Sequence, residues 1–162
     1  MRLFGVEELE NRLERFKNYL SKLEIETAVL TSNPDLYYFT GSVQKGTLVV
    51  QVNGETIYFV RKNYDRACRE SPLEVRKWNG DEIKTMIKGH WSMPMDVTTV
   101  SEYFFYKSKL SLNADAKDCS QALALTKTVK SEEEAALMKR AGKINISIME
   151  YAKTCLLYTS PS

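Results

Sequence analysis

Apolar residues recur in the first part of the chain at spacings that predict a long helix followed by a strand. Spacings of three and four residues place one apolar set on a single helical face, with charged residues on the other: Leu9, Leu13, Phe16, Leu20 and Leu23. Residues 26–31 are then predicted to form a short, largely buried strand. The turn-forming residues Ser32-Asn33-Pro34-Asp35 follow, and a short helical turn is expected up to Gly41.

A β-hairpin is the clearest local signal in the middle of the chain. Two apolar runs, residues 46–52 and 55–61, are separated by Asn53-Gly54. Because this dipeptide tolerates positive φ angles, it predicts a two-residue type I′ turn between paired strands.

Helical and extended patterns alternate after the hairpin. Residues 63–70, 81–88 and 101–110 are predicted to be helical, with Asp81 and Ser101 as N-caps. Extended segments are expected at 73–78, 93–97 and 117–119, and residues 121–128 are expected to form a connector. Alternating helices and strands together with a hairpin predict an α/β domain with a mixed β-sheet flanked by helices.

The end of the chain carries a second amphipathic helix that the first domain does not need. Ser131 and Glu134 form a capping-box pattern at its start. An apolar stripe follows at spacings of three and four: Leu137, Ala141, Ile144, Ile148 and Tyr151. Such a stripe needs a surface to pack against, so we expect it to be the first helix of a second domain.

The predicted domain organisation follows from these patterns. Residues 1–122 form the first domain, 123–130 a linker, and 131–154 the first helix of a truncated second domain. Residues 155–162 break the polarity of that helix and resemble a translated sequencing adapter, so we treat them as a non-native tail.

Composition and charge favour a globular protein in a reducing compartment. The chain of 162 residues is 43% hydrophobic and 27% charged with a net charge of +2, which gives no argument for a nucleic-acid partner. No apolar run approaches the roughly 18 residues that a membrane span requires. The three cysteines, Cys68, Cys119 and Cys155, are widely spaced, which favours free thiols and a cytoplasmic location.

The order of these elements resembles the N-terminal, creatinase/prolidase-type domain of the pita-bread metallopeptidases, especially bacterial Xaa-Pro aminopeptidases and dipeptidases. The phrase from Ser32 to Gly41 is similar to the N-x-x-Y-L-T-G turn of that family, and residues 128–134 are similar to the phrase that opens its catalytic domain. Further similar segments lie between them: Gly46 to Val50, Tyr58 to Arg61, Arg66-Ala67 and Glu70 to Leu73.

The resemblance implies a ribonuclease H-like fold and a parent enzyme that hydrolyses N-terminal Xaa-Pro bonds. In that family two divalent metal ions (Mn, Co or Zn) are held by two Asp, one His and two Glu of the catalytic domain. Nothing in this sequence matches that set, and His90, its one histidine, has no carboxylate at ligand spacing. We therefore expect no catalytic residue, no metal ligand and no activity in this chain.

The resemblance also implies that the turn after the first strand lies near the substrate entrance of the parent. By that comparison Asn33, Tyr38, Thr40 and Gly41 are candidates for lining the entrance. The structural alternatives are that Tyr38 packs in the core and that Gly41 closes a turn. The expected partners are the catalytic domain and, in the parent, a second copy in a homodimer.

Two other interpretations stay open at this point. The domain could belong to a non-enzymatic, peptide-binding pseudo-peptidase, or to a creatinase-like amidinohydrolase that uses a related scaffold without the metals. The presence or absence of two Asp, one His and two Glu in the downstream reading frame separates these possibilities.

Overall fold

Six strands form one mixed sheet within residues 4–110, 112 and 114–157, which are the residues that the computed structural model describes. The strands are β1 (Thr27–Leu30), β2 (Gly46–Gln51), β3 (Thr56–Val60), β4 (Glu74–Lys77), β5 (Trp91–Met93) and β6 (Lys117–Asp118). They lie in the order β4-β3-β2-β1-β5-β6, and β2 is antiparallel to both of its neighbours while the other pairs are parallel. The predicted α/β fold with a mixed sheet is confirmed.

Helices cover both faces of this sheet. They are α1 (Val6–Lys22), α2 (Asn33–Thr40), α3 (Tyr64–Glu70), α4 (Gly80–Met86), α5 (Val100–Lys109) and α6 (Ser120–Thr128). A further helix, α7 (Glu132–Leu157), belongs to the second unit of the chain, which is described separately below. Apolar residues of α1, α2, α3 and α6 share one core cluster with the sheet, and those of α4 and α5 share a second cluster. The sheet is therefore the middle of three layers.

Period-two alternation explains why the central strands carry consecutive apolar residues. In β2, Leu48 and Val50 point into the core shared with α1 and α2, whereas Val49 points into the core shared with α4 and α5. In β3, Tyr58 and Phe59 divide in the same way. Because successive side chains of a strand point to opposite faces, a strand covered on both faces buries apolar side chains at successive positions.

The predicted hairpin is present, but its turn type is different. Val50 pairs with Thr56, and the N–H of Gln51 donates to the Glu55 carbonyl at 3.0 Å, so residues 52–55 form the connection. Neither Asn53 nor Gly54 has a positive φ angle. The type I′ prediction is wrong because the strands separate before Asn53, which leaves a loop longer than the two residues that this turn requires.

Both predicted N-caps lie two residues too far along the chain. Asn79 Oδ1 accepts the N–H groups of Asp81 and Glu82 at the start of α4, so Asp81 lies inside the first turn. Thr99 Oγ1 likewise accepts the N–H of Glu102 at 3.2 Å and caps α5 in place of Ser101. Asn and Asp are both strong caps, and Ser and Thr nearly so, which is why the sequence could not separate them.

The strand predicted at residues 93–97 corresponds to β5, which spans Trp91–Met93 and so begins and ends earlier than predicted. Pro94 follows Met93 directly, and since proline has no N–H it cannot donate to the ladder. The chain turns at once, and the Thr98 N–H donates to the Pro94 carbonyl at 3.0 Å.

The segment predicted to be a connector and linker is helical up to Thr128. Residues 120–128 form α6, and Ala122, Leu123 and Thr126 are buried. Helix α6 packs against α1, so the predicted boundary at residue 122 falls inside a helix of the core. The sequence did not predict α6 because the apolar face of this segment spans only two turns. That length is too short to show a clear helical period.

The chain divides into two compact units, Met1–Thr128 and Val129–Ser162. Within the second unit the capping box is formed as predicted: Ser131 N–H donates to Glu134 Oε2 at 2.9 Å, and Glu134 N–H donates to Ser131 Oγ at 3.2 Å. Helix α7 extends to Leu157, three residues beyond its predicted end, and the rest of the predicted tail lies outside the described residues. Ile144, Ile148 and Tyr151 of its apolar stripe are exposed.

Candidate functional site

The turn predicted after β1 is the first turn of helix α2. Ser32 caps the helix, its hydroxyl accepting the Asp35 N–H at 3.4 Å, and Pro34 lies in the first turn, where its missing N–H costs nothing. Gly41 ends the helix with φ of 70° and donates its N–H to the Tyr37 carbonyl at 2.9 Å. The phrase from Ser32 to Gly41 is therefore a complete short helix with both of its caps.

Asn33 lines a cleft of the first unit. The cleft has a volume of about 570 Å³ and opens where β1 and β3 end and β2 begins. We call it the edge cleft; it is lined by Thr31, Asn33, Lys45, Gly46, Arg61, Thr99, Ser101, Glu102, Phe105 and Tyr106. In open α/β sheets, ligands bind outside the carboxyl ends of the strands, and this cleft is at that edge for β1 and β3.

Tyr38 does not line the edge cleft. It joins three helices: its carbonyl accepts Arg12 Nη1 of α1 at 2.9 Å, and its hydroxyl donates to the Thr126 carbonyl of α6 at 3.5 Å. The Arg12 guanidinium lies 4.3 Å from the ring centroid, and Lys127 Nζ lies 5.6 Å from it. These contacts give Tyr38 a structural role, which the sequence analysis had kept as its alternative.

Thr40 and Gly41 also lie away from the lining of the edge cleft. Thr40 is fully buried; its hydroxyl donates to the Leu36 carbonyl at 2.7 Å and accepts the Ser42 N–H at 3.0 Å. Gly41 adopts the left-handed conformation, and a Cβ at this position would be 3.4 Å from Leu9 Cδ1. Of the four predicted candidates, the structure places only Asn33 in the cleft.

A polar network anchors the loop between α2 and β2. Ser42 Oγ donates to Glu70 Oε2 at 2.8 Å, and Arg66 Nε donates to the other oxygen of Glu70 at 2.6 Å. Burial raises the pKa of the Glu70 carboxyl, but these two hydrogen bonds, with one from Gln44, outweigh it and hold the pKa below its ordinary value. Burial also raises the pKa of Tyr58, whose hydroxyl donates to the Gln44 carbonyl, to about 12.

A second polar network involves Tyr106, which lines the edge cleft. The Tyr106 hydroxyl lies 2.6 Å from Thr47 Oγ1, and Trp78 Nε1 donates to the same Thr47 oxygen at 3.1 Å. Thr47 and Tyr106 are buried. The buried hydroxyl groups of Thr47 and Tyr106 therefore each have a hydrogen-bond partner, as is usual for buried polar groups.

Sequence analysis missed the residues that give the edge cleft its charge, Lys45 and Arg61. The Arg61 N–H donates to the Lys45 carbonyl at 3.2 Å, which continues the β2–β3 ladder by one pair. The register of the hairpin could have indicated that these two cations face each other. Phe105, which is 40% exposed, also contributes to the cleft wall.

Metal and thiol chemistry find no support among the described residues. In the part of the chain that the structure describes, no three His, Cys, Asp or Glu side chains come together in a group that could hold a metal ion. These residues do not fit the two-metal centre that the resemblance implies for a catalytic domain. Burial raises the pKa of the Cys119 thiol to about 12, so it is not a thiolate at neutral pH.

Comparison with known proteins identifies the family. The sequence profile of the Creatinase/Prolidase N-terminal domain matches residues 12–126. The chain belongs to this family. It is 25% identical, over 84% of its length, to an Xaa-Pro dipeptidase of Pyrococcus furiosus, of which it spans 40%.

Solved structures show the same fold. The prolidase of Pyrococcus horikoshii OT3 superposes on 83% of this chain with a TM-score of 0.71 and 19% identity, and 40% of that protein is covered. The Creatinase/Prolidase N-terminal domain of an X-Pro dipeptidase from Streptococcus pyogenes superposes on 68% of this chain with a TM-score of 0.57 and 17% identity, and 95% of it is covered. The chain thus spans less than half the length of the full Pyrococcus proteins.

None of the helices in the described part of the chain is long and apolar enough to cross a lipid bilayer.

Proposed function

We propose that this chain is the non-catalytic N-terminal part of a metallopeptidase that hydrolyses N-terminal Xaa-Pro bonds. The observation that carries the proposal is the match of residues 12–126 to the Creatinase/Prolidase N-terminal domain family, together with relatives named Xaa-Pro dipeptidases. The chain covers 40% of each of these relatives. The remaining part of the parent would supply the reaction chemistry, with two divalent metal ions held by its own residues.

Within the parent, the role that we propose for this domain is control of substrate access. The support is the position of Asn33 at the start of α2, on the wall of the edge cleft. Its amide is exposed and offers both a donor and an acceptor to a peptide backbone. Contact with a second copy of the parent is part of the same proposal.

The first experiment tests whether the chain needs a further domain for activity. The purified chain is assayed with Ala-Pro and Met-Pro in the presence of Mn²⁺, Co²⁺ or Zn²⁺, with the full-length parent assayed in parallel. We expect hydrolysis by the parent alone. Metal-dependent hydrolysis by the 162-residue chain would contradict the non-catalytic assignment, and an inactive parent would favour the pseudo-peptidase alternative.

The second experiment tests the access role with an Asn33→Ala variant of the full-length parent. We expect a raised KM for Xaa-Pro peptides with little change in kcat, because an access residue contributes binding before the reaction. The matched control is Asn53→Ala in the exposed β2–β3 loop, away from the edge cleft. Equal kinetics for Asn33→Ala and the control, at equal stability, would remove the access role.

A further inference from the structure

Two like charges lie opposite each other at the rim of the edge cleft. Lys45 precedes β2, Arg61 follows β3, and the backbone hydrogen bond between them makes them a cross-strand pair. Like charges in directly opposite positions destabilise an antiparallel pair. Departures from such local rules are expected where a protein carries out a function. The pair concentrates positive charge at the rim of the edge cleft, where it would attract an anion.

Arg61 is held in place by aromatic rings. Its guanidinium carbon lies 4.8 Å from the centroid of the Trp78 ring and 5.4 Å from that of Phe105. Trp78 is itself held by its hydrogen bond to the buried Thr47. A guanidinium that stacks on fixed rings loses less conformational freedom on binding a ligand than a free side chain does.

Neither cation of this pair has a protein counterion within the described residues. Arg12, Arg66 and Arg76 each form an ion pair with a glutamate, whereas no described carboxylate pairs with Lys45 or Arg61. Both side chains are exposed and line the cleft. They are available to an anion that enters it.

The other walls define the charge of that anion. Glu102 also lines the cleft, so the three charged side chains of its lining, Lys45, Arg61 and Glu102, sum to one positive charge. A monoanion balances this charge, whereas a dianion such as hydrogen phosphate would leave one excess negative charge in the cleft. A carboxylate is a monoanion whose two oxygens match the forked N–H groups of a guanidinium.

We propose that the edge cleft binds the C-terminal carboxylate of a short peptide, with Arg61 as the forked donor and Lys45 as the second cation. The volume of about 570 Å³ lies within the range of small-ligand sites, and Phe105 offers an apolar wall for a side chain of the peptide. The carboxylate site adds to the proposed access role by naming the chemical group that the cleft recognises. It rests on that role only in taking the peptide to be a substrate or product of the parent.

Binding is tested on the full 162-residue chain by titrating its ¹⁵N-labelled form with peptides and following amide chemical shifts. The probes are Ala-Pro-Ala with a free carboxylate, the same peptide with an amidated C-terminus, and amidated Ala-Pro-Asp, which carries its carboxylate on a side chain. We expect the free-acid peptide alone to shift the amides of Lys45, Arg61 and Ser101. Equal binding of the amidated Ala-Pro-Ala, tighter binding of amidated Ala-Pro-Asp, or tighter binding of inorganic phosphate would overturn the proposal.

Variants assign the binding to the named side chains. Arg61→Gln should weaken binding of the free-acid peptide about tenfold, as expected for loss of a hydrogen bond to a charged group. Lys62→Gln removes the same charge from the next residue, which does not line the cleft, and should leave binding unchanged. If Arg61→Gln does not fold, Arg61→Lys and Lys45→Gln provide the test, and each should weaken binding. Unchanged binding in a folded cleft variant would contradict the proposal.

Kinetic measurements on variants of the parent enzyme distinguish the carboxylate site from the access role. If the chain binds the free-acid peptide through Arg61 while Asn33 and Arg61 variants of the parent keep a normal KM, the carboxylate site stands and the access role fails. If the chain binds no free-acid peptide while the Asn33 variant raises KM, the access role stands and the carboxylate site fails.

Discussion

The guanidinium of Arg12 lies over the ring of Tyr38, with its carbon 4.3 Å from the ring centroid, and Arg12 Nη1 donates to the Tyr38 carbonyl at 2.9 Å. Arg12 is fully buried and also pairs with Glu8, one helical turn earlier, at 2.7 Å. Burying a guanidinium is costly unless its charge is matched by nearby groups. Through Tyr38, the α2 segment that resembles the family turn therefore provides contacts for the buried guanidinium of Arg12 in α1.

Tyr38 should contribute to stability through its ring more than through its hydroxyl. Tyr38→Ala should lower the free energy of unfolding by about 2–3 kcal/mol, because it removes a half-buried ring that contacts Arg12 and Lys127. Tyr38→Phe keeps the ring and loses only a 3.5 Å hydrogen bond, so a loss below about 1 kcal/mol is expected. Urea unfolding followed by circular dichroism measures both, with the exposed Tyr151→Ala as control. Equal losses for Phe and Ala would show that the hydroxyl is the important group.

The contacts of Tyr38 show where local sequence patterns stop being informative. The pattern placed Tyr38 on a short helical turn, which is correct, because proline and glycine define the ends of α2 locally. Its partner Lys127 is 89 positions away, in a segment interpreted as a connector. A contact between residues so far apart depends on how α6 packs against α1, and no periodicity within either segment contains that information.

The ion pair between Lys127 and Asp35 gives a second test of this packing. Asp35 is 3% exposed, and its carboxylate pairs with Lys127 and also hydrogen-bonds the Ser32 hydroxyl. Lys127→Met leaves this buried carboxylate without its countercharge, so the free energy of unfolding should fall by about 1–2 kcal/mol, allowing for the partial exposure of the lysine.

A double variant separates the loss of the pair from a loss of packing at Lys127. Asp35→Asn combined with Lys127→Met should be more stable than Lys127→Met alone, because the amide carries no charge to leave unpaired. The control is Lys109→Met at the exposed end of α5. Calorimetry that finds Lys127→Met as stable as the unaltered chain would show that the ion pair contributes nothing.

Gly41 should be difficult to replace because of its backbone conformation rather than its surroundings. Its φ of 70° is unfavourable for residues with a side chain, while the nearest atoms to an added Cβ lie at ordinary contact distances. Gly41→Ala should therefore lower the free energy of unfolding by about 1–2 kcal/mol. Gly41→Asn should cost less, because asparagine tolerates the left-handed region.

A second glycine provides a control in which replacement by alanine should favour the folded backbone conformation instead of opposing it. Gly142 lies inside α7 with open space around it, so Gly142→Ala should increase helix content measured by circular dichroism. A Gly41→Ala variant as stable as the unaltered chain would mean that the end of α2 can change its conformation without cost.

The edge cleft illustrates how a candidate site can be predicted in part. Asn33 was found because it belongs to a phrase that is contiguous in the sequence. Lys45 and Arg61 were missed because each is an unremarkable surface cation when taken alone. Their significance comes from the hairpin register and from the packing of Trp78 and Phe105 around Arg61, and the second of these requires the fold.

The Glu70 network predicts a dependence of stability on pH. Because the folded protein holds the pKa of Glu70 below its ordinary value, the unfolded chain binds the proton first as the pH falls. The contribution of Glu70 is therefore complete above the ordinary glutamate pKa of about 4.3 and is lost as the pH falls through the lower pKa of the folded state. Urea unfolding between about pH 3 and pH 7 measures this loss.

Glu70→Gln isolates this contribution from the other carboxylates of the chain. The variant should be less stable than the unaltered chain at neutral pH, because Arg66 and Ser42 lose a charged acceptor. The difference between the two proteins should then shrink as the pH falls, since protonation removes the same charge from Glu70. Glu55→Gln, in the exposed β2–β3 loop, should follow the pH curve of the unaltered chain. A stability difference for Glu70→Gln that stays constant across the range would mean that the glutamate acts through its shape and hydrogen-bonding capacity, and not through its charge.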